Sequence, residues 1–418
     1  MRVKQVARHL EAQVDEALNS FRVVVLHGAR QCGKTTLARL VTGKRNGTYV
    51  TLDDDAVREA ALADPRSFLT SQSPLLTIDE IQLGGDRVIR MIKQLVDEDP
   101  TPGRFLLTGS TNFLTVPTIS ESLAGRSRIL RLWPFSEAEL NRVPVALEEW
   151  FGEVPHEPSE LERDDYLQLV CRGGYPEMVD LDTASRHAWI ESYLETVTQR
   201  DIAALADIRK VSALPRLLRW VAGNTSGEIN VTTAARDLGI DRATTMSYLQ
   251  WLEAVFLVRQ VPAWSRNLSA RAVRRPKYQL TDTGLAADLL GASPQTLGMP
   301  TAVATGPLLE SFVVNEIAKQ LSSKATPMEQ SHYRDNRHGE VDLILERRDG
   351  ATIAIEVKAS SSPVASQLKH VKWLRDKLDA VAPGTFHAGI LLHTGSQSLT
   401  VGDRLHLLPI SSLWIAPR

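Results

Sequence analysis

Two cysteines, Cys32 and Cys171, are too few for a disulfide framework, and such a chain suits a reducing compartment. No uninterrupted apolar run approaches the roughly 18 residues that a spanning helix needs, which excludes a helical membrane protein. Neither sign of charge is in excess: 48 Lys and Arg against 50 Asp and Glu give a formal net charge of −2. A surface coated for nucleic acid is thereby excluded, and any such role must rest on a local basic patch. The opening MRVKQVARHLEAQVDEAL lacks the apolar core and small-residue cleavage site of a leader. It reads as an amphipathic helix, and a cytoplasmic protein is expected.

What is present suits a folded globular chain: 43% hydrophobic and 23% charged residues. A length of 418 residues is too much for one ordinary core and suggests two or three domains.

The stretch FRVVVLHGARQCGKTTLARLV reads as strand, loop and helix, with an apolar run at Val23 to Leu26 and helical spacing of Leu37, Leu40 and Val41. Gly28, four residues, then Gly33, Lys34 and Thr35 have the spacing of a phosphate-binding loop. Backbone N–H groups across Gly28, Ala29, Arg30, Gln31, Cys32, Gly33, Lys34, Thr35 and Thr36 are the expected cradle, reinforced by the helix N-terminus. Lys34 is expected to reach the β and γ phosphates, and Thr35 to hold Mg²⁺. Cys32 is either a small filler or, if exposed, a thiol prone to ionise.

The segment SPLLTIDEIQ supplies a partner motif, an apolar strand at Leu75 to Ile78 ending in Asp79 and Glu80. Asp79 is expected to position Mg²⁺ through water and Glu80 to polarise an attacking water. A third strand, in GRFLLTGSTNF, ends in Thr108, Gly109, Ser110, Thr111 and Asn112, polar groups able to hold water or sense the γ phosphate. SLAGRSRILRLWPFSEAEL adds Arg126 and Arg128. Arg126 is the candidate for stabilising transition-state charge, in cis or across subunits, although an arginine between helix and strand is more often a surface ion pair.

Beyond these motifs, residues between Glu148 and Arg163 are acidic, contain Pro155 and Pro158, and read as a linker. In NVTTAARDLGIDRATTMSYLQWLEAVFLVRQVPAW, Thr232 or Thr233 can cap a helix ending near Gly239. Asp241 can cap a second helix with Met246, Leu249, Leu252 and Val255 inward. A strand at Phe256 to Val261 follows, so the pattern is helix, turn, helix and hairpin, a winged helix. Its flank SRNLSARAVRRPKY carries Arg266, Arg271, Arg274, Arg275 and Lys277, a basic patch suited to DNA phosphates. Arg242, Thr244, Thr245 and Ser247 lie on the second helix.

Toward the C-terminus, GPLLESFVVNEIAKQL is a helix carrying Glu310 and Glu316, and a hairpin places Asp342 beside a strand bearing Glu356 and Lys358. Side chains two apart on a strand face the same way, so Glu356 and Lys358 point together. With Glu310 and Asp342 they form a set able to hold Mg²⁺ for phosphodiester cleavage. An ion-pair cluster is the ordinary alternative.

The order of phosphate loop, Asp79–Glu80 strand and Thr108–Asn112 strand end resembles the AAA-type ATPases of the P-loop superfamily. With the GR…L.PFS.AE segment, the whole chain resembles a prokaryotic group in which that engine precedes a C-terminal domain of unknown function. Glu310, Asp342 and Glu356-Val357-Lys358 resemble the PD-(D/E)XK nuclease core, with Val341 where a proline is usual. The resemblance implies an α/β protein that binds ATP and hydrolyses it with Mg²⁺. Its expected parts are an AAA-type parallel-sheet domain at 1–147, helices at 148–210, a winged-helix-like part at 211–290 and a nuclease-like α/β domain at 291–418. Its nucleotide state is expected to control the C-terminal region, acting on DNA. The alternative is a non-cleaving ATPase switch or scaffold that binds a protein partner. The oligomeric state is left open.

Overall fold

Residues 6–70, 73–110, 123–145, 147–202, 213–266, 275–324, 326–335 and 339–415 are described by the computed structural model. Thr111, Asn112, Arg271 and Arg274 lie outside the described residues.

The N-terminal part runs α1 (Leu10–Ser20), β1 (Val23–His27), α2 (Lys34–Lys44), β2 (Thr48–Thr51), α3 (Asp55–Ala63) and α4 (Pro65–Leu69). It continues through β3 (Leu76–Asp79), α5 (Gly85–Glu98), β4 (Phe105–Gly109), β5 (Ser127–Arg131) and α6 (Glu137–Leu140). The five strands form one sheet in the order β2-β3-β4-β1-β5, all neighbours parallel. Every residue of β1, β3 and β4 is buried, because a parallel sheet has both faces covered by its crossover helices. Alternation along β1 splits it: Val23 and Val25 pack with Ile78, Ile89 and Leu107, while Val24 and Leu26 pack with Leu18, Leu37 and Leu106. The shared strand direction brings the loop after β1 and the ends of β3 and β4 to one edge of the sheet.

The middle of the chain comprises α7 (Arg163–Arg172), α8 (Thr183–Thr196), α9 (Leu214–Gly223), β6 (Gly227–Glu228), α10 (Val231–Leu238), α11 (Arg242–Ala254), β7 (Val258–Val261) and β8 (Lys277–Leu280). The strands form an antiparallel sheet ordered β6-β8-β7. Asp241 caps α11 as expected, but Asn230 caps α10, its side chain accepting from the N–H groups of Thr232 and Thr233. Both threonines lie inside the first turn, where a hydroxyl cannot serve as the N-cap acceptor. Thr245 is buried and donates to the Asp241 carbonyl at 2.9 Å, so it is no surface reader, whereas Met246 is only half buried.

The C-terminal part contains α12 (Thr283–Leu289), α13 (Pro294–Gly298), α14 (Thr305–Leu321), β9 (Met328–Asp335), β10 (Gly339–Arg347), β11 (Thr352–Lys358) and α15 (Lys369–Val381). It ends with β12 (Phe386–His393), β13 (Leu399–Gly402) and β14 (Leu405–Pro409). The sheet order is β13-β14-β12-β11-β10-β9, with β11–β12 and β12–β14 parallel and the other pairs antiparallel. Leu308, Leu309 and Phe312 of α14 pack on the face bearing Leu343 and Ile355; Val371 and Leu374 of α15 pack on the face bearing Ile344 and Ala354. No described helix is long and apolar enough to cross a membrane.

One buried cluster runs from Leu18 and Leu26 through Tyr166, Leu217 and Leu249 to Phe312, Ile390 and Trp414, while a second, from Val23 to Leu123, lies within the N-terminal part. The stretch read as a linker lies against the C-terminal sheet. Ser159 N–H donates to the Ser396 carbonyl at 2.8 Å, and the Ser398 hydroxyl to the Glu157 carbonyl at 2.7 Å. Its prolines prevent a periodic pattern, and beyond a short turn at Glu149–Phe151 its backbone bonds to the loop joining β12 and β13. Beyond β7, Trp264 N–H donates to the His332 carbonyl at 2.6 Å, which ties the small sheet to β9.

A buried ionic joint connects the first and last parts. Lys319 of α14 donates to the Phe135 carbonyl at 2.9 Å and to Glu316 at 2.7 Å, and Glu316 accepts the Glu137 N–H at 2.7 Å. Glu137 also pairs with Arg172. Burial outweighs the pull of Lys319 and pushes the Glu316 carboxyl up to about 6.

Candidate nucleotide site and carboxylate cluster

Gly28 follows β1 so closely against β5 that a Cβ there would collide with the Leu132 carbonyl. Gly33 caps α2 with φ of 99°, a conformation that glycine adopts without a Cβ clash. Lys34 is buried and folds back over the loop, donating to the carbonyls of Gly28 at 3.0 Å and Ala29 at 2.8 Å. Cys32 is fully buried with its thiol 3.5 Å from the Leu132 carbonyl; it fills space and is not an exposed thiol. Arg8 braces the loop from outside, donating to the carbonyls of Cys32 at 2.8 Å and Trp133 at 2.6 Å while pairing with Glu139.

Thr35 at the start of α2 donates its hydroxyl to Asp79 Oδ2 at 2.8 Å. Tyr49 of β2 donates to the same oxygen at 2.6 Å, and Thr108 of β4 to Oδ1. Burial, with that bond to Asp79, pushes the Tyr49 phenol up to about 12, so it remains a donor at neutral pH. Glu80 sits in a left-handed backbone conformation, φ 52° and ψ 48°, in which a non-glycine residue costs roughly 1–2 kcal/mol. Its carboxylate accepts from Gln82 and from the Ser110 hydroxyl at 3.3 Å. Because β4 lies between β1 and β3, Thr108 and Ser110 stand beside both motifs. Tyr49 and Gln82 were not foreseen; neither belongs to a recognisable spacing.

Arg126 lies at the other end of the sheet. It precedes β5, pairs with Asp97 in two hydrogen bonds, and its carbonyl accepts from Val23 at the start of β1. The length of β1 separates it from the loop, roughly 13 Å at strand rise, so it does not reach a phosphate in its own chain. Arg131, at the loop edge, stacks 3.6 Å from the Trp133 ring centre, and burial followed by Arg259 draws its guanidinium down to about 9. Phe256 of the middle region contacts both His27 and Arg131.

In the C-terminal part, Asp342 and Glu356 lie on adjacent antiparallel strands and Asp342 Oδ2 accepts the Val357 N–H at 2.8 Å. Glu356 accepts from Lys358 through one oxygen, and the other has no partner among the described residues. Glu310 is met by a residue assigned above to a DNA-binding flank. Lys277 is 3% exposed, donates to Glu310 at 2.7 Å and contacts Glu340. It starts β8 and points inward because a strand residue must take one face, whatever the charge of its neighbours in sequence. Arg266 and Arg275 are exposed, so only part of the expected basic patch is surface.

Among the described residues, no three His, Cys, Asp or Glu side chains are grouped so as to hold a metal ion. The expected Mg²⁺ set of Glu310, Asp342 and Glu356 therefore does not fit a metal centre in this arrangement; lysine ammonium groups face it instead.

Burial, then the Asp342 carboxylate, push Glu310 up to about 8 and Glu356 up to about 7; Asp342 is raised as well, chiefly by burial. Burial opposes the Lys277 charge, but Glu310, Asp342 and Glu340 outweigh it and hold the ammonium above its ordinary range. The carboxyl groups titrate together. Their folded values exceed the ordinary 4.5 of glutamate, so the stability from protonation is complete below that pH and is lost as pH rises through 7 to 8. Urea denaturation is expected to show the unfolding free energy falling between pH 5 and pH 8. Glu310→Gln, neutral throughout, is expected to show a shallower fall.

Three family models match successive segments: an AAA domain at residues 20–141, a domain of unknown function (DUF8612) at 163–296 and a domain of unknown function (DUF4143) at 305–413. An uncharacterized protein of Mycobacterium tuberculosis is 32% identical over 363 residues, covering 86% of this chain and 75% of that protein, and one of Mycobacterium bovis matches equally. The chain belongs to the family of these mycobacterial proteins. An uncharacterized protein of Haemophilus influenzae is 22% identical across 51% of this chain and 52% of its own. The Walker-type ATPase of Pyrococcus abyssi is similar in structure at 17% identity, covering 69% of this chain and 97% of that one with a TM-score of 0.45. The RuvB branch-migration motor of Thermotoga maritima follows at 18% identity, 60% and 89% coverage, with a TM-score of 0.28. The family's N-terminal part has the AAA-type ATPase fold, followed by helices and a mixed C-terminal sheet.

Proposed function

We propose that this protein binds ATP with Mg²⁺ and hydrolyses it, and that nucleotide state repositions the middle and C-terminal parts. The observation that carries this reading is the convergence of Thr35, Asp79 and Thr108 at one sheet edge, with Glu80 next to them. Thr35 and Asp79 are the residues that would hold Mg²⁺, and a hydroxyl set against a carboxylate is a hard-oxygen pair that suits it. Bound there, the ion supplies neutralisation of the charge that develops on the phosphates. Lys34 exchanges its two loop carbonyls for phosphate oxygens, and the loop N–H groups at the start of α2 complete the cradle. Glu80, kept in place by Gln82 and Ser110, accepts a proton from the attacking water.

Residues 1–147 would form the engine, with 148–210, 211–290 and 291–418 as the parts it moves. The inward position of Lys277 and the poor metal geometry favour a non-cleaving switch that engages a protein partner. A DNA reading has one supporting observation: the order α9, β6, α10, α11, β7, β8 is that of a winged helix, with Arg242, Arg266 and Arg275 exposed on it. The deciding experiment is ATP hydrolysis with and without Mg²⁺, repeated with double- and single-stranded DNA. Turnover that needs Mg²⁺ and ignores DNA supports the switch; stimulation by DNA moves the reading to nucleic acid. No turnover under any of these conditions sinks the ATPase.

A further inference from the structure

A cleft opens where the end of β5 meets α11 and β7. Its volume is about 660 Å³, within the roughly 300–1,000 Å³ of small-molecule sites, and Arg131, Trp133, Trp251, Glu253, Phe256 and Arg259 line it. Arg131 pairs in register with His27, so both stand on the sheet face that carries Val25 and Ile129. Asp79 stands on the opposite face, with Thr77, whose hydroxyl bonds Thr42 of α2. The guanidinium carbons of Arg131 and Arg259 lie 3.6 and 5.4 Å from the centre of one ring, that of Trp133. Arg259 donates to the Gln330 side chain at 2.6 Å and to the Val314 carbonyl at 3.4 Å. Arg131 lies against the Trp133 and Phe256 rings and, among the described residues, has no hydrogen-bond acceptor; neither arginine forms an ion pair there. Burial draws Arg259 down to about 10, as burial and Arg259 draw Arg131 down. Glu253 accepts from Gln260 at 2.8 Å, and burial pushes its carboxyl up. Phe256, just past α11, takes a φ of 61°, a left-handed conformation strained for a bulky side chain, and its ring centre lies 4.9 Å from Arg131.

We propose that this cleft binds the phosphate monoester of a small hydroxylated molecule, held by the Arg131 and Arg259 guanidinium groups and separate from the phosphate loop. A guanidinium fork meets two oxygens at once. A phosphate monoester offers three acceptor oxygens and roughly two negative charges at neutral pH, enough to engage both forks. A carboxylate carries one charge and leaves one guanidinium without a counter-charge. Glu253 gives a ligand hydroxyl its acceptor, and the half-buried Trp251 ring gives the carbon skeleton an apolar wall. Sugar phosphates and nucleoside monophosphates share this chemistry. Neither arginine is called upon in ATP hydrolysis, so the two readings stand or fall separately.

The test is calorimetric titration of the nucleotide-free full chain with ribose 5-phosphate and with AMP, repeated after saturation with a non-hydrolysable ATP analogue and Mg²⁺. The expected result is a site that persists in the saturated protein, with affinity at least tenfold lower in Arg131→Gln and in Arg259→Gln. Arg90→Gln, which alters an exposed arginine of α5 paired with Asp86, is expected to leave it unchanged. Arg131→Lys keeps the charge without the fork and is expected to fall between. Tighter binding of AMP assigns a nucleotide to the cleft, and equal binding of the two assigns a sugar phosphate. Ribonate bound as tightly as ribose 5-phosphate overturns the phosphate assignment. Loss of the site on saturation with the ATP analogue overturns the separation from the phosphate loop. No binding of either compound at millimolar concentration, or binding unchanged in both glutamine variants, overturns the proposal as a whole. If Arg131→Gln does not fold, Arg259→Gln provides the comparison from β7. An ATP analogue that fails to bind counts against the ATPase, while the first titration still decides the cleft.

Discussion

Lys34→Ala is expected to abolish measurable ATP hydrolysis, and Glu80→Gln to slow it by about 10²–10⁴-fold while nucleotide stays bound. The two losses differ because the residues meet different parts of the reaction. Lys34 is a buried cation whose partners are two loop carbonyls, so alanine removes the charge that offsets the phosphates and takes the ammonium donor from those carbonyls. Weakened binding and lost turnover are expected together. Glu80→Gln keeps the shape and a hydrogen bond to the Ser110 hydroxyl but cannot take a proton, so turnover falls without loss of affinity. Binding of a fluorescent ATP analogue, measured beside steady-state phosphate release, separates the two. A Glu80→Gln protein hydrolysing at the wild-type rate would assign water activation to another group, and Lys34→Ala with full turnover would remove the loop from the mechanism.

Lys319→Met is expected to lower the unfolding free energy by about 3–5 kcal/mol, the usual cost of leaving a buried partner charge uncompensated. Glu316 is 1% exposed and has Lys319 and the Glu137 N–H as its partners. With the lysine gone, the acid stays buried, and its carboxyl, already lifted to about 6, is forced further toward the neutral form. The Lys319→Met loss is therefore expected to be smaller at pH 5 than at pH 8. Lys319→Met combined with Glu316→Leu is expected to recover most of the stability, since removing both charges removes the desolvation cost along with the attraction. Urea denaturation of the three proteins at both pH values measures this, and additive losses in the double variant would show that the two side chains do not act as a pair.

The phosphate loop and the Asp79–Glu80 step were legible because each is contiguous in sequence and its residues act through the backbone turn they share. Thr108 and Ser110 were legible as a strand end. Their bonds to Asp79 and Glu80 depended on β4 lying between β1 and β3, which no local pattern states. Tyr49 reaches Asp79 from a strand that carries no motif. Lys277 was misread for a physical reason: it follows Arg271, Arg274 and Arg275 in the chain, and a run of like charges reads as surface. The partners that keep it inside are Glu310 and Glu340, which arrive more than thirty residues later. Arg126 gave its surface ion pair away by its position before a strand, although nothing in the sequence indicated that Asp97 would be the partner.

The stretch from Phe151 to Ser159, flat against the C-terminal sheet, sets a timetable for making the protein. Ser159 waits for Ser411, 252 residues further along the chain. At common rates of synthesis that interval is roughly 13 to 50 seconds. Phe151 likewise waits for Arg347 of β10 and His387 of β12, which lie against its ring. The first half of the molecule therefore leaves the ribosome with the Phe151 ring uncovered on that side, and the C-terminal strands close over it only once they are made.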